Sequence, residues 1–129
     1  MEAIAIVTVL ALIQAFLYAF MVGQARVKHE INAPTTIGNP NFERAFRVHQ
    51  NTVEQMIIFV PALWMFGYYV HSLIGAGLGL LFIVSRLMYR NAYLSEPSSR
   101  GTGFGLGALT MAILLLGGLI GAGLSWYQG

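Results

Sequence analysis

The sequence contains no cysteine and few charged residues, and each shortage excludes a class of protein. None of the 129 residues is Cys, so disulfides, thiolate metal sites and a protein thiol nucleophile are excluded. Charged residues make up 9% of the chain, against roughly 25% in an ordinary globular domain. There is no run of Lys and Arg, which excludes a nucleic-acid-binding surface. Any thiol chemistry would therefore have to use a thiol brought by a substrate.

Long apolar segments make up most of the chain. Hydrophobic residues account for 57% of it, more than a water-soluble domain of this length could hide. In a bilayer the backbone must be satisfied internally, so spans are helices or closed barrels. The apolar runs here are continuous rather than alternating, which favours helices. The sequence predicts an all-α membrane protein, a bundle of four transmembrane helices at about residues 3–25, 42–71, 73–93 and 101–126.

The basic residues indicate how this bundle is oriented. All seven Lys and Arg lie at positions 26–47 or 86–100, at the two connections on one side of the bundle. The first connection is expected between residues 26 and 41, and Pro97 breaks the chain in the second. By the positive-inside rule both connections are cytoplasmic. Both termini are then on the opposite side of a bacterial inner membrane or an endoplasmic reticulum membrane.

Glycines recur at four-residue spacing in the third and fourth predicted helices. Such small residues let helix backbones approach closely. Packing between helices is therefore their predicted role. The pairs are Gly75 with Gly79, Gly101 with Gly105, and Gly117 with Gly121.

The first half of the second predicted helix is unusually polar for a membrane span. Arg47, Asn51 and Glu54 are spaced four and three residues apart, which places them on one helix face. Glu43 extends this stripe towards the helix start, and Glu54 lies about 16 Å further along at 1.5 Å per residue. A charge at that depth costs roughly 3 kcal/mol and needs a partner. It indicates either ligand binding or an ion pair that holds the bundle together.

A second polar and aromatic group closes the third predicted helix. Taken alone, tyrosines and arginines at the end of a span are typical of interfacial anchoring. Arg100 follows at the start of the fourth span. Beside a bound thiol, its charge would lower the thiol pKa from about 8.5 and favour the nucleophilic thiolate. The members of this third-helix group, at spacings of three and four, are Arg86, Tyr89, Arg90 and Tyr93.

The combined set of polar side chains matches the functional groups of glutathione. That tripeptide carries two carboxylates, one ammonium group and one thiol. Arginine forks pair with carboxylates, a glutamate would pair with the ammonium, and tyrosine hydroxyls and an asparagine amide would complete the peptide contacts. An acidic lipid headgroup would accept several of the same donors, so the inventory alone leaves both ligands open.

Two separated stretches resemble a known family. FERAFRVHQNTVE, at positions 42–54, and RLMYRNAYLSEPSSR, at positions 86–100, resemble the signature segments of the MAPEG family. These are the membrane-associated proteins of eicosanoid and glutathione metabolism. Both stretches are most similar to the microsomal glutathione transferases and the leukotriene C synthase branch.

The resemblance implies a homotrimer that binds glutathione between neighbouring subunits near the cytoplasmic boundary. Arg100 matches the arginine that stabilises the thiolate, which makes it the candidate catalytic residue. Arg26 matches an arginine that holds a glutathione carboxylate, and His49 stands where relatives use a glutamine to touch the tripeptide. Glutathione would be a co-substrate, and no metal or prosthetic group is implied. The other residues that match glutathione ligands are Arg47, Asn51, Glu54, Tyr89 and Tyr93.

Two departures from the pattern narrow the expected activity. Gln55 and Val27 stand where the leukotriene branch has a tyrosine and a second arginine, which argues against a dedicated leukotriene synthase. The sequence favours a membrane-bound glutathione transferase that conjugates glutathione to lipophilic electrophiles, with peroxidase activity on lipid hydroperoxides as a further possibility. The electrophile itself, and any role of Lys28, His29 or His71, stay open.

Two other functions are alternatives. The first is a non-catalytic lipid-binding scaffold, as in the activating-protein branch of the same family. The second is a small four-helix transporter with Glu54 as a proton-coupled site. It fits less well, because a cation carrier should not place arginines around its carboxylate.

Overall fold

The computed structural model describes residues 1–95 and 100–129, and these form four helices without any strand. The predicted all-helical class is therefore confirmed. Pro97, the predicted breaker, lies outside the described residues. The helices are α1 (Glu2–His29), α2 (Pro40–Tyr69), α3 (Ser72–Ser95) and α4 (Gly101–Gln128).

The connection between α1 and α2 is shorter than predicted. We expected it to begin at Arg26, but α1 continues to His29, because basic side chains in the last turn of a helix interact favourably with its dipole. Glu30 then adopts the left-handed conformation, φ 55°, and ends the helix. At the other end Asn39 caps α2 by accepting hydrogen bonds from two backbone N–H groups of the first turn, and Pro40 occupies the start of the helix.

The helices form an antiparallel bundle with α2 and α3 in the middle. Each of these two contacts all other helices, while α1 and α4 flank them on opposite sides. At one end of the bundle α1 and α3 finish and α2 and α4 begin, and we call it the basic end because the arginines concentrate there. Contacts between Arg26 and Phe42 and between Arg44 and Leu94 join the helices at this end.

Three of the four helices, α1, α3 and α4, are long and apolar enough to cross a membrane. The polar first half of α2 keeps it below that limit, although the helix has 30 residues and continues through Pro61. Only 28%, 39% and 33% of the most apolar windows of α1, α3 and α4 are buried inside the chain. Large side chains such as Phe16, Phe20 and Leu119 point outward, as expected for helices that are solvated by lipid.

The glycines pack the helices, but in α4 not all of the predicted ones do so. Cβ atoms placed on Gly79 and Gly117 would lie only 2.5 Å from side-chain atoms of Val7 and Phe66. Gly101 and Gly105, a predicted packing pair, instead face open space. Two other glycines of the helix, Gly103 and Gly107, pack against α3, where Gly103 approaches the backbone N of Tyr89. A four-residue spacing gives the period of a packing stripe but not its position around the helix.

The contact at Gly103 leads to a stability prediction. A Cβ at this residue would lie 2.5 Å from the backbone N of Tyr89 and 3.0 Å from the carbonyl oxygen of Ser85. Because backbone atoms cannot rotate away, Gly103→Ala should destabilise the protein by about 1–3 kcal/mol. Gly105→Ala, on the open side of the same helix, is the matched control and should be neutral or stabilising by about 0.5–1 kcal/mol. Thermal unfolding in detergent measures both, and equal melting temperatures would contradict this α3–α4 contact.

Candidate active site

Four cationic and aromatic side chains contact one another in series from the basic end along α3. We call this series, which consists of Arg100, Tyr93, Tyr89 and Arg86, the ladder. The guanidinium carbon of Arg100 lies 5.6 Å from the ring centre of Tyr93. The rings of Tyr93 and Tyr89 stack with their centres 5.6 Å apart. The guanidinium carbon of Arg86 lies 4.4 Å from the Tyr89 ring centre. Three residues matched by the family pattern thus meet in one place, with Arg86 at the bottom of the ladder.

Packing fixes the position of this ladder. The Tyr89 side chain is buried against Tyr18 of α1 and Val48 of α2, and its ring also meets that of Phe104 on α4, with the centres 6.2 Å apart. Because all four helices contribute to its surroundings, Tyr89 has little freedom to move. Arg47 of α2 directly precedes Val48 in the chain, but its side chain is exposed.

The polar stripe of α2 faces partly away from its own bundle. Arg47 and Glu54 are exposed, whereas Asn51 between them is half-buried. The Oδ1 atom of Asn51 is buried and accepts no hydrogen bond from any described residue. Within residues 1–95 and 100–129 no cation lies within 4 Å of the Glu54 carboxylate. This face thus offers one acceptor and one negative charge whose partners are missing from the described chain.

Two of the predicted ligands, Arg26 and His49, lie outside both the ladder and the polar stripe of α2. Arg26 donates a 2.7 Å hydrogen bond from Nη1 to the carbonyl oxygen of Thr35, and its guanidinium carbon lies 4.8 Å from the ring centre of Phe42. These contacts hold it against the connection between α1 and α2. His49 is half-buried and, two residues after Arg47, falls on a different side of the helix from the stripe.

Sequence reasoning did not single out Arg86 as a buried residue. As part of a tyrosine- and arginine-rich helix end, it was expected to be typical of interfacial anchoring. In the structure it is 3% exposed, and its Nη2 atom donates a 2.8 Å hydrogen bond to Oγ1 of Thr52 on α2. The sequence feature that indicates burial is the distance of Arg86 from the helix end, because α3 continues for nine residues beyond it to Ser95. At 1.5 Å per residue that is about 13 Å, too far for a short snorkel.

The described residues hold no group of three or more His, Asp and Glu side chains that could bind a metal ion. The chemical groups that the site does offer are guanidinium ions, phenol hydroxyls, one amide and one carboxylate. They can bind carboxylates, stabilise a developing anion and receive an ammonium group. They include no thiol, so a thiol nucleophile would have to come with a ligand.

Comparisons with known proteins identify a family and several relatives of this chain. The family model described as MAPEG matches residues 4–120. An uncharacterized protein of Synechocystis is 39% identical over 116 residues, which is 90% of this chain and 85% of that protein. Human microsomal glutathione S-transferase 2 is 39% identical over 118 residues, 92% of this chain and 80% of the human protein. Guinea pig (Cavia porcellus) leukotriene C4 synthase is 33% identical over 97 residues, 75% of this chain and 65% of that enzyme.

Proposed function

We propose that this chain, which belongs to the MAPEG family, is an integral membrane glutathione transferase that acts on lipophilic electrophiles. The observation that carries the proposal is the upper part of the ladder, formed by Arg100, Tyr93 and Tyr89, at the basic end of an apolar bundle. Relatives named as glutathione transferase and leukotriene C4 synthase support the same chemistry. A peptide thiol from the aqueous side and an electrophile from the bilayer could meet at this end.

Each predicted ligand would have one task in holding glutathione. Arg47 and Arg26 would pair with the two carboxylates as bidentate forks. Glu54 would pair with the ammonium group, since no cation of the described chain lies within 4 Å of its carboxylate. The orphaned Oδ1 of Asn51 would accept a peptide N–H. Tyr89, Tyr93 and His49 would line the path of the tripeptide.

Arg100 would supply the catalytic effect. A fixed guanidinium beside the glutathione sulfur stabilises the thiolate, so the thiol loses its proton to solvent at neutral pH. The thiolate then attacks the electrophilic carbon, a C–S bond forms, and the bond to the leaving group breaks with its electron pair. With a lipid hydroperoxide the same thiolate would attack oxygen, and a second glutathione would complete the reduction to alcohol, water and glutathione disulfide.

The geometry favours a site completed by neighbouring copies of the chain. Arg47 and Glu54 lie on the exposed side of α2, yet Glu54 is 14 residues from the helix start, or about 21 Å by helix rise. A carboxylate at that depth needs a partner or a ligand. We propose a homotrimer in which this face of α2 meets another subunit and encloses glutathione between them. The basic end is proposed to face the cytoplasm, with both termini on the opposite side.

The test of the function is conjugation by purified protein. In detergent, with glutathione and 1-chloro-2,4-dinitrobenzene, we expect the protein to accelerate thioether formation, followed by absorbance, with saturation in both substrates. Native mass spectrometry of the same sample should show three chains. If the protein binds glutathione but neither conjugates any electrophile of a panel nor reduces a hydroperoxide, the result would instead support the lipid-binding scaffold. Absence of glutathione binding would overturn the proposal.

A further inference from the structure

A cavity lies between α1 and α3, on the side of the bundle away from α4. It has a volume of about 340 Å³, and two of its polar residues are Gln24 of α1 and Arg90 of α3. Tyr18 also lines it, but none of the ladder residues does. The cavity is therefore separate from the proposed glutathione site. The rest of its wall is apolar and consists of Leu17, Phe20, Met21 and Leu87.

A second cavity adjoins the first along the outer side of α1. Its volume is about 550 Å³, and Phe20 and Gln24 line both cavities, so the two lie side by side with the largely exposed Phe20 between them. Gly23 lines the second cavity, and a Cβ atom placed on it would meet no atom within 4 Å. Two adjacent apolar cavities can each hold one hydrocarbon chain. The other residues of the second cavity are Phe16, Ala19 and Val27.

The polar groups of these cavities lie at the depth of lipid headgroups. Gln24 and Arg90 each stand five residues before the end of their helix, at His29 and Ser95. By helix rise this is about 7.5 Å from the basic end, close to the roughly 5–7.5 Å thickness of the headgroup layer on each side of a bilayer. The apolar walls begin there and continue towards the membrane centre.

Arg90 brings to this boundary a positive charge that lacks an anion. It is half-buried, and its Nη1 atom donates to Oδ1 of Asn91, a neutral amide. Its guanidinium carbon lies 5.9 Å from the ring centre of Tyr18. Within residues 1–95 and 100–129 no carboxylate lies within 4 Å of Arg90. A guanidinium has five N–H donors, so its planar fork can still pair with an anion, and this fork matches the oxygens of a phosphate.

We propose that the two cavities beside α1 bind one phospholipid from the leaflet at the basic end, with its phosphate on Arg90 and its two acyl chains on either side of Phe20. The Gln24 amide would donate a further hydrogen bond to the phosphate. A phosphodiester carries one negative charge, which one guanidinium balances, and two chains, which match the two cavities. This inference does not rest on the proposed transferase activity, and conjugation in detergent should not require the lipid.

Three lipids with the same acyl chain test the phosphate and the tails separately. Delipidated protein in an uncharged detergent is titrated with dioleoyl phosphatidylglycerol, with dioleoylglycerol, which lacks the phosphate, and with oleoyl lysophosphatidylglycerol, which lacks one chain. Native mass spectrometry measures the bound lipid, and we expect one phosphatidylglycerol per chain at saturation. The diglyceride should bind at least tenfold more weakly, because loss of a charge-assisted hydrogen bond costs about one power of ten or more. The lysolipid should also bind at least tenfold more weakly, because it leaves one apolar cavity empty. Equal binding of either truncated lipid would overturn the proposal.

Two variants with matched controls test the location. Arg90→Gln should bind phosphatidylglycerol only as weakly as the diglyceride. Arg44→Gln is its control, because Arg44 is also half-buried at the basic end but donates to the carbonyl oxygen of Leu94 and lines neither cavity. Gly23→Phe should fill the second cavity and weaken binding at least tenfold. Gly77→Phe, at an equally open and exposed position of α3, should bind normally. With folding checked by thermal unfolding, undiminished binding by Arg90→Gln or by Gly23→Phe would refute the site.

Discussion

Arg100→Ala should lower kcat for glutathione conjugation at pH 7 by roughly 30-fold, the loss expected when the thiol returns to a pKa of about 8.5. The wild-type guanidinium lies over the Tyr93 ring, beside the predicted position of the glutathione sulfur. Without it, the pKa of the bound thiol should rise towards the ordinary value of about 8.5, so only a few per cent would be thiolate at pH 7. KM for glutathione should change little, because other side chains would hold its carboxylates.

The pH dependence separates this role from a structural one. In Arg100→Ala the pKa of the bound thiol is raised, so most of the thiol is protonated at neutral pH. The conjugation rate of this variant should therefore increase through pH 8.5 and approach the wild-type rate near pH 9.5. The wild-type rate should already be level there. Arg100→Lys keeps the charge and should retain a substantial part of the activity. A deficit in Arg100→Ala that is the same at all pH values would contradict thiolate stabilisation.

A matched arginine provides the control. Arg90 lies on the same helix as the ladder, but its Nη1 donates to Oδ1 of Asn91 and its guanidinium is 5.9 Å from the ring centre of Tyr18. Arg90→Ala removes a cation from the same end of the bundle without removing one from the ladder. We therefore expect kcat and its pH profile to stay near the wild-type values. A loss as large as that of Arg100→Ala would mean that the activity depends on the total positive charge of the basic end and not on Arg100 in particular.

The sequence predicted the fold class because membrane helices carry their signal in composition. Four apolar segments could be found without knowledge of any contact, and their order fixed which ends come together. The exact end of α1 was missed because Arg26, Lys28 and His29 look like a polar loop, although basic residues are stable in a final helical turn. The glycine contacts in α4 were misplaced because a period does not reveal which side of a helix faces its neighbour.

The site could be predicted only in part for a similar reason. Spacing placed Arg47, Asn51 and Glu54 on one face, but it could not show that this face points out of the bundle. Burial of Arg86 depends in part on its hydrogen bond to Thr52, which belongs to another helix. Such a contact across the bundle has no periodic signal in the sequence. The residues predicted from the resemblance remain predictions until ligand binding is measured.

Glu54→Gln should weaken glutathione binding by roughly 10- to 100-fold, the equivalent of a charge-assisted hydrogen bond worth about 1.5–3 kcal/mol. The exposed carboxylate has no cation within 4 Å in the described chain, as expected for a group that pairs with the ammonium of a ligand. Isothermal titration of the purified protein measures the dissociation constant. Glu43→Gln is the matched control, since that carboxylate accepts a hydrogen bond from the backbone N–H of Gly38 and should have little effect on affinity.

A ligand without the amino group decides whether Glu54 meets the ammonium or holds the bundle together. Deamino-glutathione keeps the thiol and both carboxylates, so wild-type protein should bind it about as weakly as Glu54→Gln binds glutathione. Glu54→Gln should lose nothing further with this analogue, because the two changes remove the same interaction and their effects are not additive. Additive losses, or a variant that fails to form the wild-type oligomer, would instead identify Glu54 as one half of an ion pair between subunits. In that case the ammonium must be bound by another group, and the stripe on α2 would be a contact surface whose charge is balanced by a neighbouring copy.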